Sequence, residues 1–565
     1  MRLLQQVSTF SCLGLVALSN AGFAQGQLTG NLPAAVSKRL VVTPSGASFQ
    51  DQVGVAAPVS GSWSNTSPGT KWTLADGGLA WVGTTVSIGN RGTQVFSEVD
   101  LNNERALLVS VFDVNPPTPV WQDTSALATE FRVVASADAT NTHVSTHQNV
   151  LGGNPQTRQA VLTKYSSSSG VADWSYTFTP IINAGSSVGI SRNGSVIVAA
   201  IYNDGANQVE IGVFSPASNV PLSYTIVPVN VNDYMRGFDL SADGSTLYFS
   251  AGTTVNIFDV ATATVVHTNI IGASFDSHAI SGDGSVFAYG NFNQISVWER
   301  SGGFYTNTFT RTISGSCYGA IVDISDDSST IAYGFTFYDA YLQTQVEALD
   351  VATKNVTMTH IATGTGGFQN IIADVAISAD GSRFAVGRWG DAGGLVNEVD
   401  VYDRNTSTPI LSANLAGSVF SVDISADGQR VVAGSKAVHA NTFGNGGRIT
   451  LLDNGNEDFA LRTVPHVGAL LSFDLYGLPN KTSVLLQSNA EATPPKLFPG
   501  VGTLYIKRNT MQLLVHGTTD GTGFATGTLQ LGSSPALIGT SLYYQGLTLQ
   551  PRRLTNDWVK ATILP

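Results

Sequence analysis

The chain has 565 residues, with 28 Lys and Arg against 40 Asp and Glu, a formal net charge of −12, and charged residues at only 12%. That length exceeds one ordinary hydrophobic core, so several domains or one large repeat architecture is expected. An acidic, charge-poor surface excludes a nucleic-acid footprint, which needs clustered Lys and Arg; Arg552-Arg553 is the densest basic pair.

The chain opens with MRLLQQVSTFSCLGLVALSNAGFAQG. Arg2, an apolar run from Phe10 to Leu18, and small residues at Gly22 and Ala24 make residues 1–24 a secretory signal peptide, cut before Gln25. The run is too short to cross a bilayer, and no other stretch is long and apolar enough. The expected location is therefore secreted, extracellular or at the cell surface, with the periplasm as the alternative. Cys12 lacks the preceding Leu of a lipid-anchor signal. Loss of the leader leaves Cys317 as the one cysteine, which excludes a disulfide framework and a multi-cysteine zinc site. Residues 25–70 are rich in Gly, Ser, Pro and Thr and read as a linker, with Lys38 to Thr43 a strand that completes or covers the domain C-terminal to it.

From residue 71 to residue 466 the chain repeats itself. LSADGSTLYFSAG begins at Leu240, ISGDGSVFAYG at Ile280, ISADGSRFAVG at Ile377 and ISADGQRVVAG at Ile424. Looser copies begin at Ile88, Ala135, Ile190 and Ile324. Start-to-start spacings, by subtraction, run from 40 (Leu240 to Ile280) to 55 (Ala135 to Ile190). A period of ~40–50 residues is the mark of propeller blades. The local chemistry agrees. In Ser-x-Asp-Gly, the Asp bonds its own backbone and the Gly accepts positive φ, which makes a tight turn. After the turn of the Leu240 copy come three β-favouring runs, Thr246 to Ser250, Val255 to Asp259 and Thr264 to His267. With the strand before the turn, that makes four strands and one blade. The end of the third strand repeats as well, at Asp113, Asp259, Glu299, Asp350, Asp403 and Asp453. A lone blade leaves its apolar faces in water, and a closed ring buries them all.

On these residues the chain resembles the WD-repeat and YVTN-type β-propeller superfamily over residues 71–466. The Gly-His half and the Trp-Asp pair of a WD repeat are absent, with Trp298-Glu299 the nearest match. The resemblance implies a fold and not an activity. The expected fold class is all-β: an eight-bladed β-propeller followed by a small C-terminal β-sandwich. Seven blades is the alternative, should Ile88 or Ala135 not mark a blade.

The period breaks at Val467. Residues 467–565 hold strand-like runs at Val484 to Gln487, Leu504 to Lys507, Gln512 to His516, Ala525 to Leu531, Leu542 to Leu549 and Val559 to Leu564. On Gly521 to Ala525, Ile538 to Gln545 and Leu554 to Asn556, this end resembles a C-terminal module of secreted proteins of environmental bacteria. That resemblance implies an accessory or surface-association role.

Chemistry is harder to find, and no catalytic residue can be named. Gly315-Ser316-Cys317-Tyr318-Gly319 mimics a nucleophile elbow but lies in all-β periodicity with no following helix, so Cys317 reads as a buried strand cysteine. His143 and His147 have the zinc spacing of a helix, but on a strand they stand ~13 Å apart and read as surface histidines. Asp239, Asp323 and Asp423 share one phase of the repeat. They read first as bonds to turn backbone or a neighbouring blade, and second as a Ca²⁺ or cation site at a channel mouth. The Asp-Gly turns at Asp243, Asp283, Asp380 and Asp427 lack the pattern of a calcium loop. No phosphate loop or cofactor fingerprint appears.

The expected function is that of a secreted binding protein, monomeric and without cofactor, taking a protein or glycan ligand at a propeller face. Candidate loops are Asp204 to Gln208, Tyr338 to Thr344, Gly390 to Asn397 and His439 to Gly447. One alternative is a channel-site enzyme such as a lactonase, glycan lyase or hydrolase. Another is a structural cell-surface or matrix protein.

Overall fold

The computed structural model describes residues 69–563 with breaks, of which the longest for side chains is 99–141, and the backbone of a hairpin between Lys38 and Asp51. The leader, Cys12 and most of the linker lie outside the described residues.

Strand follows strand, and almost every pairing is with the next in sequence. Sheet four shows the unit: Met235–Leu240, Thr246–Ala251, Thr254–Asp259 and Thr264–Ile270, in that order and antiparallel. Among the described residues eight such sheets occur, and each copy of the motif lies at the hairpin between a sheet's first and second strands. The first strands begin at Thr85, Ala128, Ser186, Met235, His278, Cys317, Ile372 and Val419. Each packs beside the next, and Val419–Ile424 packs beside Thr85–Ile88, so the order is cyclic.

The burial pattern comes from this arrangement. Second strands are buried along their length, as in Thr246–Ala251 and Thr330–Phe337, because a sheet lies against each face. Fourth strands alternate half-buried and exposed, as in Thr264–Ile270, because they form the outer rim. Apolar clusters bridge neighbouring sheets. Tyr248, Val255 and Ile257 of sheet four meet Ile280, Phe287 and Tyr289 of sheet five. Burying one such side chain is worth about 1.5–3 kcal/mol.

The ring closes with the earlier end of the chain. Gly69–Ala75 pairs with Gly447–Asp453 as the outermost strand of sheet eight. Trp72 and Leu74 then share a core with Val432, Leu451 and, from sheet one, Val86 and Val95. Lys38–Thr43, expected to complete or cover the ring, pairs with Gly46–Asp51 in a hairpin of its own and completes no sheet of the ring, though the hairpin lies against Gly69–Ala75 and Pro117–Ser125. The architecture is an all-β propeller of four-stranded antiparallel sheets.

The motif explains its own repetition. In sheet five, buried Ser281 donates its hydroxyl to Asp283 Oδ1 at 3.0 Å and accepts from Val286 N at 3.0 Å. Asp283 Oδ1 also accepts from Ser285 N at 2.9 Å. The same bonds recur at Ser241 and Asp243, Ser325 and Asp327, and Ser378 and Asp380. Gly284 holds φ +67°, and a Cβ there would strike Thr246 of the neighbouring sheet.

Beyond Asp453 the pairing changes partners. Phe459–Leu461 already belongs with Leu470–Tyr476 and Phe524–Gln530, so the changeover comes ahead of the expected Val467. A second sheet, of Gln512–Thr518, Thr482–Ser488, Ser541–Thr548 and Arg553–Thr562, shares one core with the first through Phe473, Leu475, Leu485 and Tyr544.

Ser281→Ala removes both bonds of a buried hydroxyl and strands the Val286 N–H. We expect a loss of about 1–3 kcal/mol in urea denaturation, against less than about 0.5 kcal/mol for the exposed Ser245→Ala.

Candidate functional site

An up-and-down meander sends its hairpins alternately to two ends. Every Ser-x-Asp-Gly hairpin therefore sits on one face of the ring, here the turn face. The connections between second and third strands, and those between sheets, sit on the opposite loop face. All four candidate loops join second to third strands, in sheets three, six, seven and eight, and so share the loop face.

Along the turn face the hairpins of sheets three to eight are tied to one another. Backbone bonds run from hairpin to hairpin: Arg192 N to Ala242 O at 2.8 Å, Asp243 N to Gly282 O at 2.9 Å, and Gly282 N to Asp326 O at 3.2 Å. They continue as Asp327 N to Ala379 O at 3.1 Å and Ala379 N to Ala426 O at 3.0 Å. Arg192 of sheet three also reaches across to sheet six, where its Nη2 donates to Asp326 Oδ1 at 2.8 Å.

The aspartates singled out by phase line the first strands and point at neighbouring backbone. Asp239 Oδ2 accepts from Ile280 N at 2.8 Å, and Asp323 Oδ2 from Ile377 N at 2.9 Å. Asp423 Oδ2 accepts from Ile88 N at 2.8 Å and Ser87 Oγ at 3.0 Å, which ties sheet eight to sheet one. Asp374 does the same for Val422 N at 2.9 Å. It stands two residues ahead of the phase position Ala376, on the same side of the strand, and a scan of one phase misses it. The carboxyls are packed round by protein and still touch solvent along the channel. Burial pushes Asp239 up to about 8, reinforced by Asp323, and burial pushes Asp323 and Asp374 up to about 7. These aspartates are spread round the ring. Among the described residues no three of His, Cys, Asp and Glu gather closely enough to hold a metal ion.

His143 and His147 are buried, not on the surface. They lie on a second strand, Thr142–Leu151, which has a sheet against each face. The expectation of surface histidines treated that strand as half exposed. His143 Nε2 donates to Gln94 Oε1 at 3.2 Å, and burial, with Lys164 nearby, lowers its pKa to about 3. Cys317 is a buried thiol on Cys317–Ile324, in an antiparallel sheet with no helix after it.

Both faces hold buried polar atoms without a partner among the described residues, Ser223 Oγ and Trp298 Nε1 toward the turn face, and the loop-face end holds more of them. Buried side-chain atoms of Ser277, Asn291, Thr344, Asn370, Glu398 and Ser435 have no hydrogen-bond partner among the described residues. All six residues sit at starts of first or third strands, or at ends of second strands, which is the loop-face end of each. On the turn face the motif serines are all bonded. The loop face also exposes apolar groups: Leu395 at 67%, and Phe292 at 45% on a hairpin tip with φ +39°. A bulky residue at positive φ is held there at a cost of order 1–3 kcal/mol, a feature that clusters at ligand sites.

No protein-family model matches the chain, and no curated protein sequence matches it. Among solved structures it is similar to a crystal structure of the mitotic checkpoint complex, at 14% identity and a TM-score of 0.40, over 71% of this chain and 99% of that chain. It is also similar to a structure of U3-55K, at 13% identity and a TM-score of 0.40, over 68% of this chain and 99% of that one. Neither likeness is strong enough to say what this chain does. The propeller assignment rests on strand order and the cyclic contacts of the first strands.

Raised aspartates make stability fall with pH. From about pH 6.5 to 8 the folded chain still holds protons on Asp239, Asp323 and Asp374 that the unfolded chain has released, so folding weakens as pH rises. Histidine uptake by the unfolded chain acts the other way and fades above about pH 6.5. Calorimetry is expected to show a lower Tm at pH 8.5 than at pH 6.5, and a smaller drop in Asp323→Asn. A Tm that rises over that range would overturn the assignment.

Proposed function

We propose that the chain is a secreted binding protein built on an eight-bladed propeller, with a C-terminal β-sandwich as an accessory module. Its ligand, a protein or a glycan, binds the loop face. Eight sheets in cyclic order, including those that carry the degenerate motifs at Ile88 and Ala135, support eight blades over seven. The leader at residues 1–24 supports secretion.

One observation carries the choice of face. Five buried residues and half-buried Asn291, with polar atoms that lack a partner among the described residues, gather where the four loop insertions gather, and on the opposite face backbone bonds tie the hairpins of sheets three to eight together. A buried group without a partner costs about 1–3 kcal/mol. A ligand that supplies the missing bond recovers that cost on binding. The channel is a poorer place for a reaction. Its carboxylates each hold a neighbouring strand, and the Arg192–Asp326 pair spans its turn-face end.

The test is a binding screen of the chain from Gln25 to Pro565 against glycan and protein arrays, repeated on two variants. Phe292→Ser combined with Leu395→Ser is expected to lower affinity for every hit at least tenfold with Tm unchanged. Ala261→Arg, an exposed change on the turn face, is expected to leave the hits intact. The opposite pattern would place the ligand on the turn face and end this reading.

A further inference from the structure

On the loop face, the richest junction of unsatisfied groups lies around Trp389, between sheets seven and eight. Trp389 O accepts from Ser418 Oγ at 2.8 Å and from His439 Nδ1 at 3.0 Å. A carbonyl only accepts, so His439 carries its proton on Nδ1, and Nε2 of the neutral ring is a bare acceptor. Nε2 lies 4.0 Å from Glu398 Oε1. Glu398 is fully buried; its Oε2 accepts from Leu415 N at 2.5 Å, and Oε1 has no partner. Asn370, also fully buried, has neither amide atom bonded among the described residues. It precedes Ile371, whose carbonyl accepts from Trp389 N at 2.9 Å, so it lies beside the same group. Half-buried Phe420 packs on Trp389 with ring centroids 5.6 Å apart.

The charges at this junction select among ligands. Arg388 is buried with no exposed surface, and its two Nη atoms are committed to Asp400 and Tyr402, at 2.5 and 3.1 Å, while its Nε has no partner among the described residues. Lys436 is buried as well. That leaves little to draw an anion. Asp391 is saturated by Thr365 N, Gly393 N and Val396 N, and burial pushes Glu398 up to about 7, so near neutrality the junction carries only part of one negative charge. What remains is a neutral ligand that both donates and accepts. A hydroxyl about 2.8 Å from each partner spans the 4.0 Å between Oε1 and Nε2. An amide offers a donor and an acceptor side by side, which suits two hydroxyls on adjacent carbons. A half-exposed aromatic ring beside such groups suits the apolar face of a sugar ring.

We propose that the Trp389 junction binds a neutral oligosaccharide, with Glu398, His439 and Asn370 hydrogen-bonding its hydroxyls and Phe420 lying under a ring face. The proposal rests on the loop-face reading and names its ligand class. The solvent-reached member of the three polar groups is His439, with its side chain 30% exposed, so the sugar enters past the imidazole.

The test is isothermal titration of the chain from Gln25 to Pro565 with neutral hexasaccharides of glucose, mannose, galactose and N-acetylglucosamine. At least one is expected to bind with a Kd below about 1 mM. Phe420→Ala and Glu398→Ala are each expected to weaken it at least tenfold, and Ala261→Arg to leave it unchanged. Should Glu398→Ala fail to fold, His439→Ala at the exposed edge is expected to weaken binding with Tm unchanged. No binding by any hexasaccharide, or binding indifferent to Phe420→Ala and His439→Ala, would overturn the site. If a protein ligand is still lost on Phe292→Ser with Leu395→Ser, the sugar site alone is wrong and the loop face stands. If binding is lost only on Ala261→Arg, both fall.

Discussion

A four-stranded sheet with apolar residues on both faces needs a neighbour on each side, and the rest of the propeller depends on that need. Second strands such as Thr246–Ala251 and Arg430–Lys436 have no exposed residue along their length. Such a strand is stable only between two others. The requirement passes from sheet to sheet until the last meets the first. Closure is therefore the decisive contact. It is made twice at one place: Gly69–Ala75 adds the outer strand of sheet eight, and Asp423 of sheet eight holds Ile88 and Ser87 of sheet one.

Apolar burial has no direction, and hydrogen bonds set the angle between sheets. The aspartates of the first strands each join two sheets through one carboxyl, with one oxygen on their own strand and the other on the next in Asp323 and Asp423. The price is electrostatic. Four carboxyls in one channel are each raised mainly by burial, and Asp239, Asp323 and Asp374 keep part of their protons near neutrality. Had they converged on one point, the arrangement would suggest a cation. Spread round the ring and bonded to backbone N–H groups, they act as joints.

The parts of this fold that were legible in the sequence are those decided within a dozen residues. Ser281, Asp283 and Gly284 make their turn from their own side chains and dihedrals, so the turn can be read wherever it is spelled. Parts decided at long range were not legible. Nothing near Gly69 announces that Thr73 will meet Thr450, which lies 377 residues away. The burial of His143 depends on a neighbouring sheet, and its local sequence reads as half-exposed strand. Asp374 is hidden from a reading of one phase, because a pleat repeats every two residues and offers the same side of the strand twice. Of the loop-face site, the insertions were visible as extra length. Glu398, His439 and Asn370 were not, because each sits on a different segment and only the ring brings them to Trp389.

The two faces are built differently, and the difference has a physical cause. A tight hairpin bonds its polar groups within itself and passes spare N–H and C=O groups to the next hairpin, so repetition seals the turn face. Connections between second and third strands have no such template. They differ in length from sheet to sheet, from Phe292-Asn293 in sheet five to the segment between Arg388 and Val399 in sheet seven. Buried polar groups at their base cannot all find partners in an irregular neighbour. That leaves Glu398 Oε1 and the Asn370 amide unsatisfied inside a rigid ring, and a rigid ring loses little freedom when a ligand binds. Hydrogen-bonding capacity that the fold cannot use is therefore concentrated where the fold holds it still, which is the condition a binding site needs.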